Sequence, residues 1–226
     1  MPAAPNASPW IRLPAVAGHF YPSSPAEVDE ELAAYADEAA AAGDRRQAYL
    51  GAVCPHAGWR YAGALAYRTL ARCVLPERVV ILAVNHRHRS PPPWSIWPEG
   101  LWRTPLGDVP VDAELAAALM KAVPELVASA APHAQDHATE VLLPMLQKLA
   151  GGGQPGSGGA LGGLKIVPIV PFLPVASEAS AVDVGARIGA VLKRWHAPVF
   201  VLASNDMTHF APAERAREQD QKAIAR

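Results

Sequence analysis

Arg-Val-Val-Ile-Leu-Ala-Val-Asn-His, residues 78–86, is the stretch that decides the fold. Residues 79–84 are all apolar and lack the polar alternation of a strand with one solvent-facing side. An unbroken apolar run of this length is typical of a central parallel strand buried on both faces. An Asn-His pair follows at its carboxyl end, which is the edge where open α/β folds bind their ligands. The stretch therefore predicts a buried sheet and a polar site at its edge.

Strand-like and helix-like segments alternate along the rest of the chain. Apolar runs at residues 49–54, 164–170 and 198–203 predict further strands, and helical patterns occupy much of the sequence between them. This alternation predicts an α/β fold: a single domain with a mainly parallel or mixed central sheet flanked by helices. We expect residues 1–13 to be a flexible arm and residues 14–226 to form that domain.

Two segments lack a regular pattern. Residues 151–163 consist mainly of Gly, Ser and Pro, so we expect a flexible surface insertion. Residues 85–104 contain three consecutive prolines and three tryptophans. This second segment predicts a long loop, and loops of that length in compact domains are usually functional.

Charge and cysteine content exclude several classes of protein. The 226 residues carry 20 Lys and Arg against 21 Asp and Glu, a formal net charge of −1. The basic residues do not cluster as nucleic-acid binding requires, and no apolar run is long enough to span a bilayer. We therefore expect neither nucleic acid nor membrane as a partner. Two cysteines, Cys54 and Cys73, are too few for a disulfide framework and indicate a cytoplasmic protein.

Histidines recur in four short segments, at residues 55–58, 85–88, 136–137 and 206–209. Three of these segments directly follow predicted strands. Because the carboxyl ends of parallel strands meet at one edge of the sheet, their imidazoles are expected to converge. Neutral imidazole is the commonest side-chain metal ligand. The sequence therefore predicts a metal site or a polar active site, built from loops that are distant along the chain.

The strongest candidates for metal ligands are His56 and His86. Proline before His56 fixes the backbone, and a glycine two residues later permits a tight turn, so the imidazole is held at the strand exit. A histidine that only bonds within a turn is the alternative. His86 directly follows the central strand. His88 shares its face if the strand geometry continues; the alternative for His88 is a solvated basic patch with its arginine neighbours.

Carboxylates accompany the other two histidine segments. Asp206 lies three residues before His209, where it can orient the imidazole or act with it as acid and base; capping the next helix is the alternative. His137 and Glu140 lie three apart and would share one face of a helix. Glu140 is a candidate metal ligand, base or surface residue, and Asp136 is a candidate cap for that helix.

Six motifs, taken in order, resemble those of the Memo family, whose prokaryotic members are called AmmeMemoRadiSam system protein B. The resemblance extends from about residue 15 to the last predicted helix. The motifs are Ala-Val-Ala-Gly-His-Phe-Tyr-Pro at 15–22, Pro-His-Ala-Gly-Trp at 55–59, Asn-His at 85–86, Trp-Arg-Thr-Pro-Leu-Gly at 102–107, His-Ala-Thr-Glu-Val-Leu-Leu-Pro at 137–144 and Ser-Asn-Asp-Met-Thr-His at 204–209.

The resemblance implies a fold similar to that of class III extradiol ring-cleaving dioxygenases, which use non-haem iron. It implies that His56 and His86 bind the metal, iron or copper, and that Asp206 and His209 line the same cavity; zinc, which also accepts two histidines and an anionic ligand, is the alternative. The family's third ligand is a cysteine in a C-terminal Cys-Gly motif. No such motif occurs in this chain, so the resemblance implies either a chain truncated at its C-terminus or an incomplete site.

Three functional hypotheses follow. The leading one is a redox or dioxygenase-like enzyme with an unknown small-molecule substrate. Its candidate catalytic residues are Asp206, His209, His137 and Glu140, while Asn85 and His88 support the ligands or contact the substrate. The second is a non-catalytic module that binds a phosphopeptide or another anionic ligand. The third is a metal-handling accessory protein with radical-SAM and AMMECR1-like partners, which the resemblance implies by gene association.

Overall fold

The structure, a computed structural model, describes residues 10–87, 92–150, 163–172 and 177–225. Within these residues the chain forms nine strands, seven α-helices and one 3-10 helix. The strands are β1 (Ile11–Arg12), β2 (Gly51–Cys54), β3 (Arg78–Leu82), β4 (Trp94–Ile96), β5 (Leu101–Thr104), β6 (Gly107–Pro110), β7 (Leu126–Ala128), β8 (Lys165–Pro171) and β9 (Val199–Ser204). The helices are α1 (Pro25–Ala41), α2 (Trp59–Ala71), α3 (Ala113–Ala122), α4 (Ala131–Ala134), the 3-10 helix Glu140–Leu142, α5 (Leu143–Ala150), α6 (Glu178–Arg194) and α7 (Ala213–Ile224).

The central sheet has six strands in the order β2-β9-β3-β8-β4-β7. Strands β2, β9, β3 and β8 run parallel to one another, whereas β4 is antiparallel to β8. The predicted α/β fold with a mixed central sheet flanked by helices is confirmed. Because β2, β3 and β9 are parallel, the segments that follow them begin at one edge of the sheet.

Strand β3 is apolar from Val79 to Leu82 because helices cover both faces of the sheet. Val79 and Ile81 belong to one buried cluster, which also contains side chains of α1, α2 and α5. Val80 faces the opposite side, where it joins a second cluster with side chains of α3 and α6. All three residues are almost inaccessible to solvent. None of the helices within the described residues has the length and apolar character needed to cross a membrane.

The structure corrects the prediction of a long functional loop at residues 85–104. This segment contains β4 and β5, which pair with β8 and with β1 and β6, respectively. Its tryptophans, Trp94, Trp97 and Trp102, are only 7%, 3% and 1% exposed. Burying indole surface stabilises the fold, and these short strands supply the backbone pairing that buried segments require.

The start of the domain also differs from the expected boundary at residue 13. Arg12 lies in β1, pairs across to β5, and is only 1% exposed. A buried guanidinium requires a partner, and Arg12 has one in Glu140. Residues 10–13 therefore belong to the fold, while residues 1–9 of the expected arm and residues 151–162 of the expected insertion lie outside the described residues.

Candidate metal centre

Three histidines gather at the carboxyl edge of the sheet. His56 follows β2, His86 follows β3, and His137 precedes the 3-10 helix. Each offers a ring nitrogen, and the three nitrogens lie within 4.8 Å of one another. The ring centroids are 5.2 Å apart for His56 and His86, 5.5 Å for His56 and His137, and 4.4 Å for the stacked pair His86 and His137. Two residues assigned to the metal from sequence thus meet one that was assigned to catalysis.

Burial and two short hydrogen-bonding distances hold the His56 ring. Its Nδ1 lies 2.8 Å from the Ser204 hydroxyl oxygen, and that hydroxyl donates to the Ala138 carbonyl at 2.6 Å. His56 is 2% exposed, and burial lowers the pKa of its imidazole below the usual value. The ring is therefore neutral at pH 7, which is the protonation state that binds metals.

Asp136 fixes His86 by both backbone and side chain. The His86 backbone N–H donates to Asp136 Oδ2 at 2.6 Å, and its Nδ1 lies 3.2 Å from Oδ1. Burial raises the pKa of Asp136, but the hydrogen bonds it accepts from His86 and Ala138 outweigh burial and leave the pKa below its usual range. The ionised carboxylate accepts from Nδ1 and leaves Nε2 of His86 free, an arrangement common behind metal-binding histidines.

His137 has no such anchor. The Phe20 ring packs against it at 4.6 Å between centroids, and its Nδ1 is buried without a hydrogen-bond partner among the described residues. Burial, followed by the nearby His86, lowers the pKa of His137 to about 4. An unpaired polar atom in the interior is costly, and a cation held through Nδ1 would remove that cost.

This donor set fits a transition-metal ion. Imidazole suits iron, copper, zinc and nickel, and three protein ligands leave further coordination positions open. The two thiols do not join the cluster within the part of the chain that the structure describes. Both Cys54 and Cys73 are buried and free, and burial raises the pKa of the Cys54 thiol to about 12, which disfavours the thiolate that metals bind.

Asp206 and His209 lie beside the three histidines. Oδ1 of Asp206 accepts hydrogen bonds from the backbone N–H groups of His56 at 2.7 Å and Ala57 at 3.3 Å. Its Oδ2 is 3.2 Å from Nε2 of His209 and 3.6 Å from Nε2 of His56. The His209 side chain is 50% exposed. Asp206 therefore positions the turn that carries His56, and His209 connects it to solvent.

Glu140 does not join the cluster. It is fully buried, pairs with Arg12, and accepts hydrogen bonds from the backbone N–H groups of Ala15 and Val16 and from the Tyr21 hydroxyl. The helix predicted to open at residue 136 begins instead as a 3-10 turn at Glu140, followed by α5. His137 lies before this turn, so the expected shared helical face is absent.

The remaining sequence candidates contribute less. The Asn85 side-chain oxygen accepts a hydrogen bond from the Arg87 backbone N–H at 3.2 Å, and this bond shapes the turn after His86. His88 lies outside the described residues.

Comparisons with known proteins agree with this architecture. The family model described as Memo-like protein matches residues 12–226. A MEMO1 family protein of Methanopyrus kandleri is 33% identical, over 95% of this chain and 75% of its own length. MEMO1 family proteins of Thermoplasma acidophilum and Aquifex aeolicus are each 34% identical, over 95% of this chain and 73% of their own length. The chain belongs to the Memo family.

Sequence reasoning missed two features of this Memo-like site. Ser204 was included only as the first residue of the motif at 204–209, although its hydroxyl oxygen lies 2.8 Å from Nδ1 of His56. Asp136 was read as a helix cap, and it does accept the Ala138 N–H at 2.9 Å, but it also holds His86. Ser204 lies at the end of a strand, and this position could have indicated that it belongs to the site. In the structure that strand neighbours β2, and Ser204 is paired in register with Cys54.

The buried histidine His133 predicts that acid destabilises the folded protein. His133 is 1% exposed, and burial lowers its pKa from 6.5 to about 3. Between these values the unfolded chain binds more protons than the folded protein, so the free energy of unfolding falls as pH drops below about 6.5.

Between pH 6 and pH 4 the free energy of unfolding of the wild type is expected to fall with pH. We expect His133→Gln to reduce the slope of that fall by up to about 1.4 kcal/mol per pH unit. Urea unfolding of wild type and variant at several pH values measures the two slopes. Equal slopes would contradict a neutral, buried His133. The absolute stability of the variant does not matter to the comparison.

Proposed function

We propose that this protein binds one redox-active transition-metal ion, iron or copper, through His56, His86 and His137, and uses it in dioxygenase-like oxidation of a small molecule. The observation that carries the proposal is the convergence of three ring nitrogens within 4.8 Å. Supporting it, two of the rings are neutral because burial lowers the pKa of each. When bound, the ion supplies Lewis acidity and redox chemistry at its open coordination positions.

Residues around the cluster orient a ligand, move a proton or stabilise the fold. Asp136 orients His86 through contacts with both its backbone N–H and its Nδ1. His209 is the residue best placed to move a proton, since half of its side chain is exposed and its Nε2 lies 3.2 Å from Oδ2 of Asp206. We assign Glu140 to holding the fold because Arg12 and three further donors occupy its carboxylate.

Metal content after reconstitution tests the proposal. Purified protein, loaded with iron under anaerobic conditions or with copper, is expected to retain about one ion per chain. His56→Ala and His86→Ala are expected to lose nearly all of it. His196→Ala is the matched control, because His196 is exposed and packs against Trp195 rather than in the cluster. Absence of retained metal in the wild type under both conditions would reject the proposal.

One observation favours an anion-binding role as the second candidate. Arg87 is exposed, directly follows His86, and lies close enough to His137 that its charge, after burial, His86 and His56, contributes to lowering the pKa of that ring. A guanidinium beside the cluster suits a phosphopeptide or another anion, or the acidic surface of a radical-SAM or AMMECR1-like partner. Saturable phosphotyrosine binding by chelator-treated protein, abolished in Arg87→Ala, would favour this role over the metal-dependent one.

A further inference from the structure

The Ser204 hydroxyl, which has a single proton to donate, lies between His56 and the segment that carries His137. The Ser204 hydroxyl oxygen is 2.6 Å from the Ala138 carbonyl oxygen and 2.8 Å from Nδ1 of His56. Ser204 is 1% exposed, so bulk water does not compete for either bond. These two contacts bear on where the proton of the His56 ring lies.

The direction of each hydrogen bond follows from counting protons. A carbonyl oxygen can only accept and lies 2.6 Å from the hydroxyl oxygen, so the single hydroxyl proton of Ser204 is directed to Ala138. The contact with His56 then requires the imidazole to donate, because the serine oxygen has only lone pairs left to offer. We propose that Ser204 is a positioning residue that holds His56 with its proton on Nδ1 and leaves Nε2 as the nitrogen able to bind a metal.

The other tautomer of His56, with its proton on Nε2, also has a hydrogen-bond acceptor nearby. Oδ2 of Asp206 lies 3.6 Å from Nε2 of His56, which is too long for a hydrogen bond but within reach of a small ring rotation. A proton on Nε2 would be directed to that carboxylate, and the lone pair needed for a metal would be lost. Ser204 therefore selects between a metal-binding ring and a ring bonded to Asp206.

The Ser204 hydroxyl also links His56 to the backbone next to His137. Ser204 bonds to Ala138 O, while Asp136 bonds to Ala138 N and to His86. The backbone on either side of His137 is thus connected to His56 through Ser204 and to His86 through Asp136. A polar network of this kind holds ligands in place before an ion arrives.

The decisive readout is the tautomer of His56 in metal-free protein. The long-range ¹H–¹⁵N spectrum of ¹⁵N-histidine-labelled full-length chain separates protonated from unprotonated ring nitrogens. We expect the wild type to show His56 protonated on Nδ1. Ser204→Ala is expected to shift the ring towards protonation on Nε2 and to lower metal affinity about 10- to 100-fold. Ser204→Thr, which keeps the hydroxyl, is expected to restore the wild-type tautomer.

Ser95→Ala is the matched control. Ser95 is also a fully buried serine of the central sheet, and its hydroxyl has no hydrogen-bond partner within the described residues. This variant is expected to leave both the tautomer and the metal affinity unchanged, which separates the effect of the Ser204 bond from loss of any buried hydroxyl.

Two outcomes would overturn the inference: a wild-type His56 protonated on Nε2, or a tautomer that is the same in wild type and Ser204→Ala. If Ser204→Ala does not fold, the wild-type spectrum and Ser204→Thr still decide. The affinity effect rests on the proposed metal centre, but the tautomer does not. A protein that binds no metal yet shows the Nδ1 proton would overturn the proposed function and leave this assignment intact.

Discussion

Replacing Arg12 with methionine is expected to lower the free energy of unfolding by about 3–5 kcal/mol. Arg12 and Glu140 are 1% and 0% exposed, so the change leaves a buried carboxylate without its countercharge. Arg12 also donates to the carbonyl groups of His133 and Asp136 and lies 4.7 Å from the centre of the Trp102 ring. All these contacts are lost together.

The double variant Arg12→Met with Glu140→Gln is expected to be less destabilised than the sum of its two single changes, by at least about 2 kcal/mol. Glutamine keeps an oxygen for the Ala15 and Val16 N–H groups and removes the unpaired charge. Urea unfolding of the four proteins gives this coupling energy.

Arg103→Met is the control because it breaks a surface ion pair with Asp108. The side chains of Arg103 and Asp108 are 49% and 38% exposed. Exposed pairs contribute only up to about 1 kcal/mol. A loss of similar size in Arg12→Met would show that the buried pair adds no more than a surface one, contrary to the expectation.

Replacing His137 with alanine is expected to lower metal affinity by more than the roughly 100-fold associated with residues that only support a ligand. The geometry makes His137 the third nitrogen of the cluster, and a metal held by two protein ligands instead of three dissociates more readily. Competition with a chromophoric chelator measures the affinity of wild type and variant under the same conditions.

His209→Ala distinguishes a ligand from a neighbour in that measurement. His209 contacts Asp206 but does not belong to the cluster, so its removal is expected to change metal affinity by less than about tenfold. Wild-type affinity in His137→Ala, or a larger loss in His209→Ala, would mean that the third nitrogen comes from a different ring. Circular dichroism of each variant shows whether the fold is retained.

Sequence patterns predicted the parts of the site that depend on strands. His56 and His86 each follow a strand of the parallel region, and parallel strands end at the same edge of a sheet. The apolar run before His86 is long and unbroken, so the position of that edge could be read directly. The motifs also predicted membership of the Memo family, which the comparisons confirm.

The pairing of His137 with Glu140 was where local reasoning failed. A spacing of three residues suggests one helical face, yet the chain forms a 3-10 turn at Glu140 and α5 begins only at Leu143. Pro144 then occupies the first turn of α5, where proline is tolerated. Glu140 turns inward to Arg12, and His137 is left to face the other two histidines.

The sequence by itself determined the buried sheet, the edge at which a site could form, and two of its three imidazoles, because apolar periodicity and strand ends are properties of neighbouring residues. Only the tertiary structure decided that Arg12 neutralises Glu140, that Ser204 meets His56, and that His137 completes the cluster. These contacts join residues far apart in the chain, as in the 128 positions between Arg12 and Glu140 and the 148 between His56 and Ser204. Local propensity contains no information about such pairs, since packing of the whole sheet brings them together.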